Sequence, residues 1–122
     1  MPVNIRSQVF AKSAYEKVSA VAGGVHGVSA ADYGRHCRKF PLLIRSCGLM
    51  EVVAFARAKG AGEGGLAQAY ARYIQDLLQA AGLTEEAIRT CPNAETYMVY
   101  SARAMEIAGW FKRYAEATLG EG

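Results

Sequence analysis

Hydrophobic residues recur along this chain at intervals of three and four, with polar residues between them. At about 100° per residue, that spacing gathers apolar side chains on one side of a helix. From Ile5 to about Ala22, the residues Ala11, Ala14, Val18 and Val21 form such a stripe, with Phe10 and Tyr15 at its margins and Arg6, Lys12 and Lys17 outside it; Gly23-Gly24 ends the segment. Ser29, with Asp32 at the third position after it, resembles a capping box, so a second helix is expected to start there. In this helix Tyr33, Cys37, Phe40 and Ile44 share one stripe, whereas Arg35, Arg38, Lys39 and Arg45 fall on the other side. Pro41 lies inside the apolar pattern. A kink or break near Phe40 is expected, because proline lacks a backbone donor and crowds the preceding turn.

After Cys47-Gly48 a third pattern puts Leu49, Val52, Val53 and Ala56 together and stops at Lys59-Gly60, a basic last turn followed by a glycine. The glycine-rich run from Gly60 to Gly65 follows a helix, lacks the Gly-Lys-Ser/Thr ending of a phosphate loop and has no strand pattern before it, so it reads as a mobile linker. The fourth helix runs from about Leu66 to Ala81. It turns Leu66, Tyr70, Tyr73, Ile74, Leu77 and Leu78 inward and Gln68, Arg72, Gln75 and Gln79 outward, with Asp76 on the outer side, and Gly82 stops it. Thr84-Glu85-Glu86 is the capped, acidic first turn of a short helix that closes by Thr90. Asn93 caps the last and longest helix, to about Leu119, whose core seam is Tyr97, Tyr100, Ala104, Ile107, Phe111 and Ala115. Met98 and Met105 flank one edge of that seam, and Arg103, Glu106, Trp110 and Arg113 share another. Trp110 either rounds off the core or belongs to a second contact surface. No segment of alternating β-branched residues stands out, and the pattern predicts an all-α bundle of five or six helices with a long C-terminal one.

Composition narrows the picture. The 122 residues are 52% hydrophobic with a mean hydropathy near zero, which suits one helical domain over 1–122. No apolar run approaches the roughly 20 residues that span a bilayer, and the N-terminus lacks the apolar stretch of a signal peptide. A cytoplasmic chain without a membrane partner is expected. The three cysteines, Cys37, Cys47 and Cys91, form no CxxC pair and are expected to act as small buried hydrophobes. With only His26 and His36 beside them, a zinc set of about four ligands does not assemble, so no metal and no cofactor is expected. Asp32 in a cap turn, Asp76 on a helix exterior, His26 in a glycine loop and His36 in a basic helix forecast no convergent catalytic group. His36 is expected to be solvated or to touch phosphate.

Charge is lopsided. Residues 1–60 hold nine Lys or Arg against three acids, a net +6, and residues 61–122 hold five against eight, a net −3. This asymmetry suggests a polyanion partner for the basic half, head-to-tail association of copies, or simply a solvated helix surface. The face formed by Arg35, Arg38, Lys39 and Arg45 is the first candidate for contact with a polyanion backbone, with Arg57 and Lys59 as weaker ones; the resemblance described next implies that this backbone is RNA. Arg103, Trp110, Lys112 and Arg113 on the last helix are the candidates for a subunit interface.

Four segments carry a resemblance: Lys12 to Val18 (KSAYEKV), Phe40 to Leu49 (FPLLIRSCGL) with Val53 to Phe55, Ser101 to Ala104 (SARA), and Ala108 to Ala117 (AGWFKRYAEA). Together they span nearly the whole chain, and the pairing of Pro-x-x-Ile-Arg-x-x-Gly-Leu with a distant Trp-x-Lys-Arg-x-Ala is the specific part. The sequence resembles the small all-helical subunit, the fifth Cmr protein, of type III-B CRISPR–Cas effector complexes. Cys47 stands where that family usually has Asn before the glycine, and Phe111 where it has Leu. The resemblance implies a non-catalytic structural subunit of an RNA-guided, RNA-targeting ribonucleoprotein in antiviral defence. Its partners would be the other Cmr subunits, chiefly the backbone subunits and further copies of itself, together with guide RNA and target RNA. The alternative from the residues alone is a freestanding helical nucleic-acid-binding regulator with Tyr33 to Lys59 as a helix-turn-helix, although Glu51 and Arg57 are the main side chains there able to reach base edges.

Overall fold

The computed structural model describes residues 5–25 and 27–119, with side chains from Gln8 onward; the side chain of Arg6 and all of His26 lie outside the described residues. Six helices follow one another: α1 (Ile5–Ala22), α2 (Ala30–Cys47), α3 (Leu49–Gly60), α4 (Gly65–Ala81), α5 (Glu85–Arg89) and α6 (Ala94–Thr118). Among the described residues there is no strand, only an isolated backbone bridge between Val25 and Val28. The fold is all-α, as the periodicity predicts.

Local chemistry sets the helix ends. Ser29 Oγ accepts from the Asp32 amide at 3.2 Å, Thr84 Oγ1 from the Ala87 amide at 3.0 Å and Asn93 Oδ1 from the Thr96 amide at 2.8 Å. Each satisfies a first-turn donor that has no intrahelical acceptor. Asp32 uses its carboxylate to engage Arg35. At the end of α4, Gly82 adopts φ 68°, and the Leu83 and Gly82 amides return to Leu78 O at 2.9 Å and Gln79 O at 3.1 Å, a Schellman closure that needs the left-handed glycine.

Helices α2, α4 and α6 pack on one another; α1 covers α6 and α4, α3 covers α4 and α2, and α5 tucks against α3. Tyr73 of α4 sits where the three central helices meet. Its ring lies 4.6 Å from Phe40, 5.6 Å from Phe111 and 5.8 Å from Tyr33, centroid to centroid. Such tilted and edge-on pairs add about 0.5–1.5 kcal/mol each beyond the burial of their area.

Several expectations are corrected by this packing. Of the kink or break expected near Phe40, the break is absent: α2 runs through Pro41 from Ala30 to Cys47, with Phe40 and Ile44 on either side both buried. Leu66 is 54% exposed rather than inward, since the first turn of α4 directs Ala67 and Ala69 to the core instead. Asp76 is buried, not outward: α4 is covered by α1, α2, α3 and α6, which leaves little of its circumference wet. Phe10 is buried rather than marginal. Of the cysteines only Cys37 is buried, while Cys47 is exposed at the corner before Gly48 and Cys91 is half-buried. The glycine run narrows to four residues, 61–64, because Gly60 and Gly65 are helical.

Candidate nucleic-acid interface

The cations of α2 point away from Tyr33, Cys37, Phe40 and Ile44, yet they do not form one cluster. Because α2 is clasped between α4 and α6, its two flanks meet different neighbours. On the α6 flank, Arg38 and Arg45 line a groove of about 380 Å³ with Pro41, Leu42, Met105 and Lys112. Three cations from two helices thus share one groove, and among the described residues no acidic side chain lines it. Lys112, expected at a subunit interface, joins two of the RNA-backbone candidates here. Met105 and Lys112 are seven residues apart on α6 and share a face, but only the α2–α6 crossing puts that face beside Arg38.

The other candidates are held elsewhere. Arg35, half-exposed, is engaged by Asp32. Lys39 lies on the α4 flank, where its Nζ donates to Tyr70 Oη at 2.9 Å. Arg57 Nε donates to Glu85 Oε1 at 2.8 Å, and Arg89 stands 3.9 Å from the other carboxylate oxygen, so Arg57 shares the Glu85 carboxylate with Arg89. Lys59 extends over the Phe55 ring, 5.7 Å from its centroid.

The expectation of a solvated or phosphate-contacting His36 is overturned. His36 is 2% exposed, stacks on Tyr70 at 3.9 Å and 28°, and has no hydrogen-bond partner at either ring nitrogen. Burial, reinforced by Lys39 and Arg35, lowers its pKa to about 4, so the ring is neutral near pH 7. Asp76 accepts from Tyr33 Oη at 2.7 Å and pairs with Arg72 at 3.0 Å. Burial first, and then the Asp76 charge, push the Tyr33 phenol and the Cys37 thiol well above their ordinary ranges. The result is a buried structural network, and among the described residues no group of three or more His, Cys, Asp and Glu side chains is placed to hold a metal ion.

On α6, Arg103 Nη1 donates to the Ala81 carbonyl at 3.3 Å, in the last turn of α4, which is an intramolecular task. Trp110 is part-buried against the core, stacks on Tyr114 at 5.8 Å and carries the Arg113 guanidinium 4.7 Å above its ring. Tyr114 in turn meets Tyr15 of α1 edge-on at 5.4 Å, and Tyr15 is 52% exposed. Lys112 and Arg113, adjacent in sequence, therefore serve different surfaces.

The family model described as CRISPR-associated protein (Cas_Cmr5) matches residues 6–118, most of the six-helix bundle. The chain belongs to the Cmr5 family. A relative described as CRISPR system Cmr subunit Cmr5, from Thermus thermophilus, is 32% identical over 120 residues and is matched over 97% of its length and 95% of this chain. The crystal structure of a CRISPR-associated Cmr5 family protein, also from Thermus thermophilus, matches with a TM-score of 0.80 at 31% identity, covering 98% of this chain and 99% of that one. The Cmr5 fold thus extends over all six helices here. No helix among the described residues is long and apolar enough to cross a membrane.

Proposed function

We propose that this Cmr5-family chain is a non-catalytic structural subunit of a cytoplasmic type III-B CRISPR ribonucleoprotein, the Cmr complex, standing beside its backbone subunits and further copies of itself. In that assembly the α2–α6 groove faces the guide–target RNA duplex. The single observation that carries the RNA role is the convergence of Arg38, Arg45 and Lys112 on one groove. Cations that meet phosphates without reading base edges suit a duplex of arbitrary sequence, where specificity comes from guide pairing. The exposed Trp110–Tyr114–Tyr15 surface with Arg113 suits contact with a neighbouring subunit, since part-exposed aromatics beside an arginine are common interface anchors.

A freestanding regulator fits less well. Its recognition helix would be α3, which is packed on α4 and whose Arg57 is tied to Glu85. The decisive experiment combines Arg38→Gln, Arg45→Gln and Lys112→Gln in the assembled complex and measures target-RNA binding across low and moderate salt. Binding is expected to weaken and the log–log salt slope to become shallower by about 0.9 per lost phosphate contact. An unchanged affinity and slope, with the complex intact, would remove the RNA role from this groove.

A further inference from the structure

On the opposite flank of α2 lies a second cationic arrangement, built from α2, α3 and α4. Lys39 donates to Tyr70 Oη at 2.9 Å and stands 5.0 Å from the centroid of that ring. Tyr70 is backed by His36, stacked at 3.9 Å, and meets Phe55 edge-on at 5.7 Å and 85°. Lys59 Nζ stands 5.7 Å from the Phe55 centroid. The row is therefore Lys39, Tyr70, Phe55, Lys59. Its outermost ring is Phe55, 40% exposed where Tyr70 is 7%. Beside Phe55 opens an apolar groove of about 190 Å³ lined also by Leu43, Cys47, Glu51 and Val52.

We propose that Phe55 is a stacking platform for an unpaired base of single-stranded RNA, with Lys39 and Lys59 taking the flanking phosphates. A single exposed aromatic side chain is ordinary; this one differs in three respects. Its ring is oriented by the edge contact to a nearly buried tyrosine, so little rotamer freedom remains to be lost on binding. An ammonium group stands at each end of the Tyr70–Phe55 pair, Lys39 at Tyr70 and Lys59 at Phe55, and neither is in an ion pair among the described residues. The adjoining groove is apolar, with Glu51 contributing its hydrocarbon stem to the lining, which suits the face of a base and leaves the phosphates to the lysines. Lys59 does not block the ring: an exposed cation–π contact contributes about 0.5–1 kcal/mol, against about 1–3 kcal/mol for a base stacked on an aromatic side chain. The favourable exchange moves Lys59 to a phosphate.

The choice of RNA as ligand rests on the proposed effector role, but the residues are separate from the α2–α6 groove and the strand form differs, so either proposal can fail alone. The full-length chain is titrated at low salt with a short single-stranded RNA carrying one 2-aminopurine, up to millimolar concentration, with RNA duplex titrated in parallel. Stacking is expected to quench the probe, and Phe55→Ala to weaken single-strand binding by about 5- to 150-fold while leaving duplex binding unchanged. Phe55→Trp should retain binding, and Lys59→Gln should make the single-strand salt slope shallower by about 0.7, which covers the case in which Phe55→Ala does not fold. Absence of binding at millimolar RNA, or equal affinity of the wild type and folded Phe55→Ala, overturns the proposal. Loss of complex assembly in Phe55→Ala with single-strand binding intact also overturns it and assigns the platform to a protein partner. Failure of the groove proposal would appear instead in the Arg38, Arg45 and Lys112 variant with duplex.

Discussion

A proton on His36 would sit in the core with no acceptor for either ring nitrogen and with Lys39 and Arg35 nearby, which is why the pKa falls to about 4. The unfolded chain takes up that proton near the ordinary histidine value of about 6.5. Between pH 6.5 and 4 the unfolded state therefore binds more protons, so stability is greatest above this window and declines as pH falls through it, by about 3 kcal/mol in total. Denaturant unfolding of wild type and His36→Phe at several pH values checks this: the wild type should lose stability relative to the variant across the window, and parallel profiles would refute it. Tyr33 and Asp76 present the complementary case of a buried charge that is satisfied. Tyr33→Phe leaves the 2%-exposed Asp76 with Arg72 alone and should cost about 1–3 kcal/mol by urea unfolding at neutral pH.

Between elements, α3 ends in close approach to α4 at Gly60. A Cβ at Gly60 would stand 3.0 Å from the N, Cα and Cβ atoms of Ala71, and backbone cannot swing aside as a flexible side chain can. Gly60→Ala should therefore destabilise by about 1–3 kcal/mol, although alanine is the better helix former. Gly65→Ala is the internal control. It lies at the start of α4 with nothing within 4 Å of its added Cβ, and should be neutral or stabilising. Equal melting temperatures for the two variants would show that the helix crossing yields. The same crossing explains the short connection: four residues, 61–64, suffice because the last turn of α3 already touches α4.

For the molecule as a whole, the surfaces are divided by charge and by aromatic content. The α2–α6 groove is cationic, Glu85 of α5 pairs with Arg57 near the end of α3, and the α1–α6 side carries Tyr15, Trp110 and Tyr114. Trp110 packs on the core with part of its surface and leaves the rest open, so Trp110→Ala is expected to stay folded with a lowered melting temperature but to fail to assemble with its partner subunits. Co-purification with the complex, alongside circular dichroism of the free chain, tests this; normal incorporation of the variant would confine Trp110 to the core.

All six helices and nearly all their ends were legible in the sequence, because periodicity and capping are local. Ser29, Gly82, Thr84 and Asn93 close or open helices through bonds to residues at most five positions away. The inward stripe Tyr33, Cys37, Phe40 and Ile44 was legible for the same reason. The cationic side of α2 could be recognised, but its division could not: that Arg38 and Arg45 meet Lys112 while Lys39 meets Tyr70 depends on α6 and α4 lying on opposite flanks. Burial of His36 and Asp76 was missed because a helix wheel assumes one wet side, and α2 and α4 are covered on several. Sequence alone thus determined where the helices lie and the stripes that α2 and α3 bury, since those follow from bonds and spacing within about five residues. Tertiary structure decided which cations share a groove and which polar groups are dry, because both depend on helices distant in sequence coming into contact.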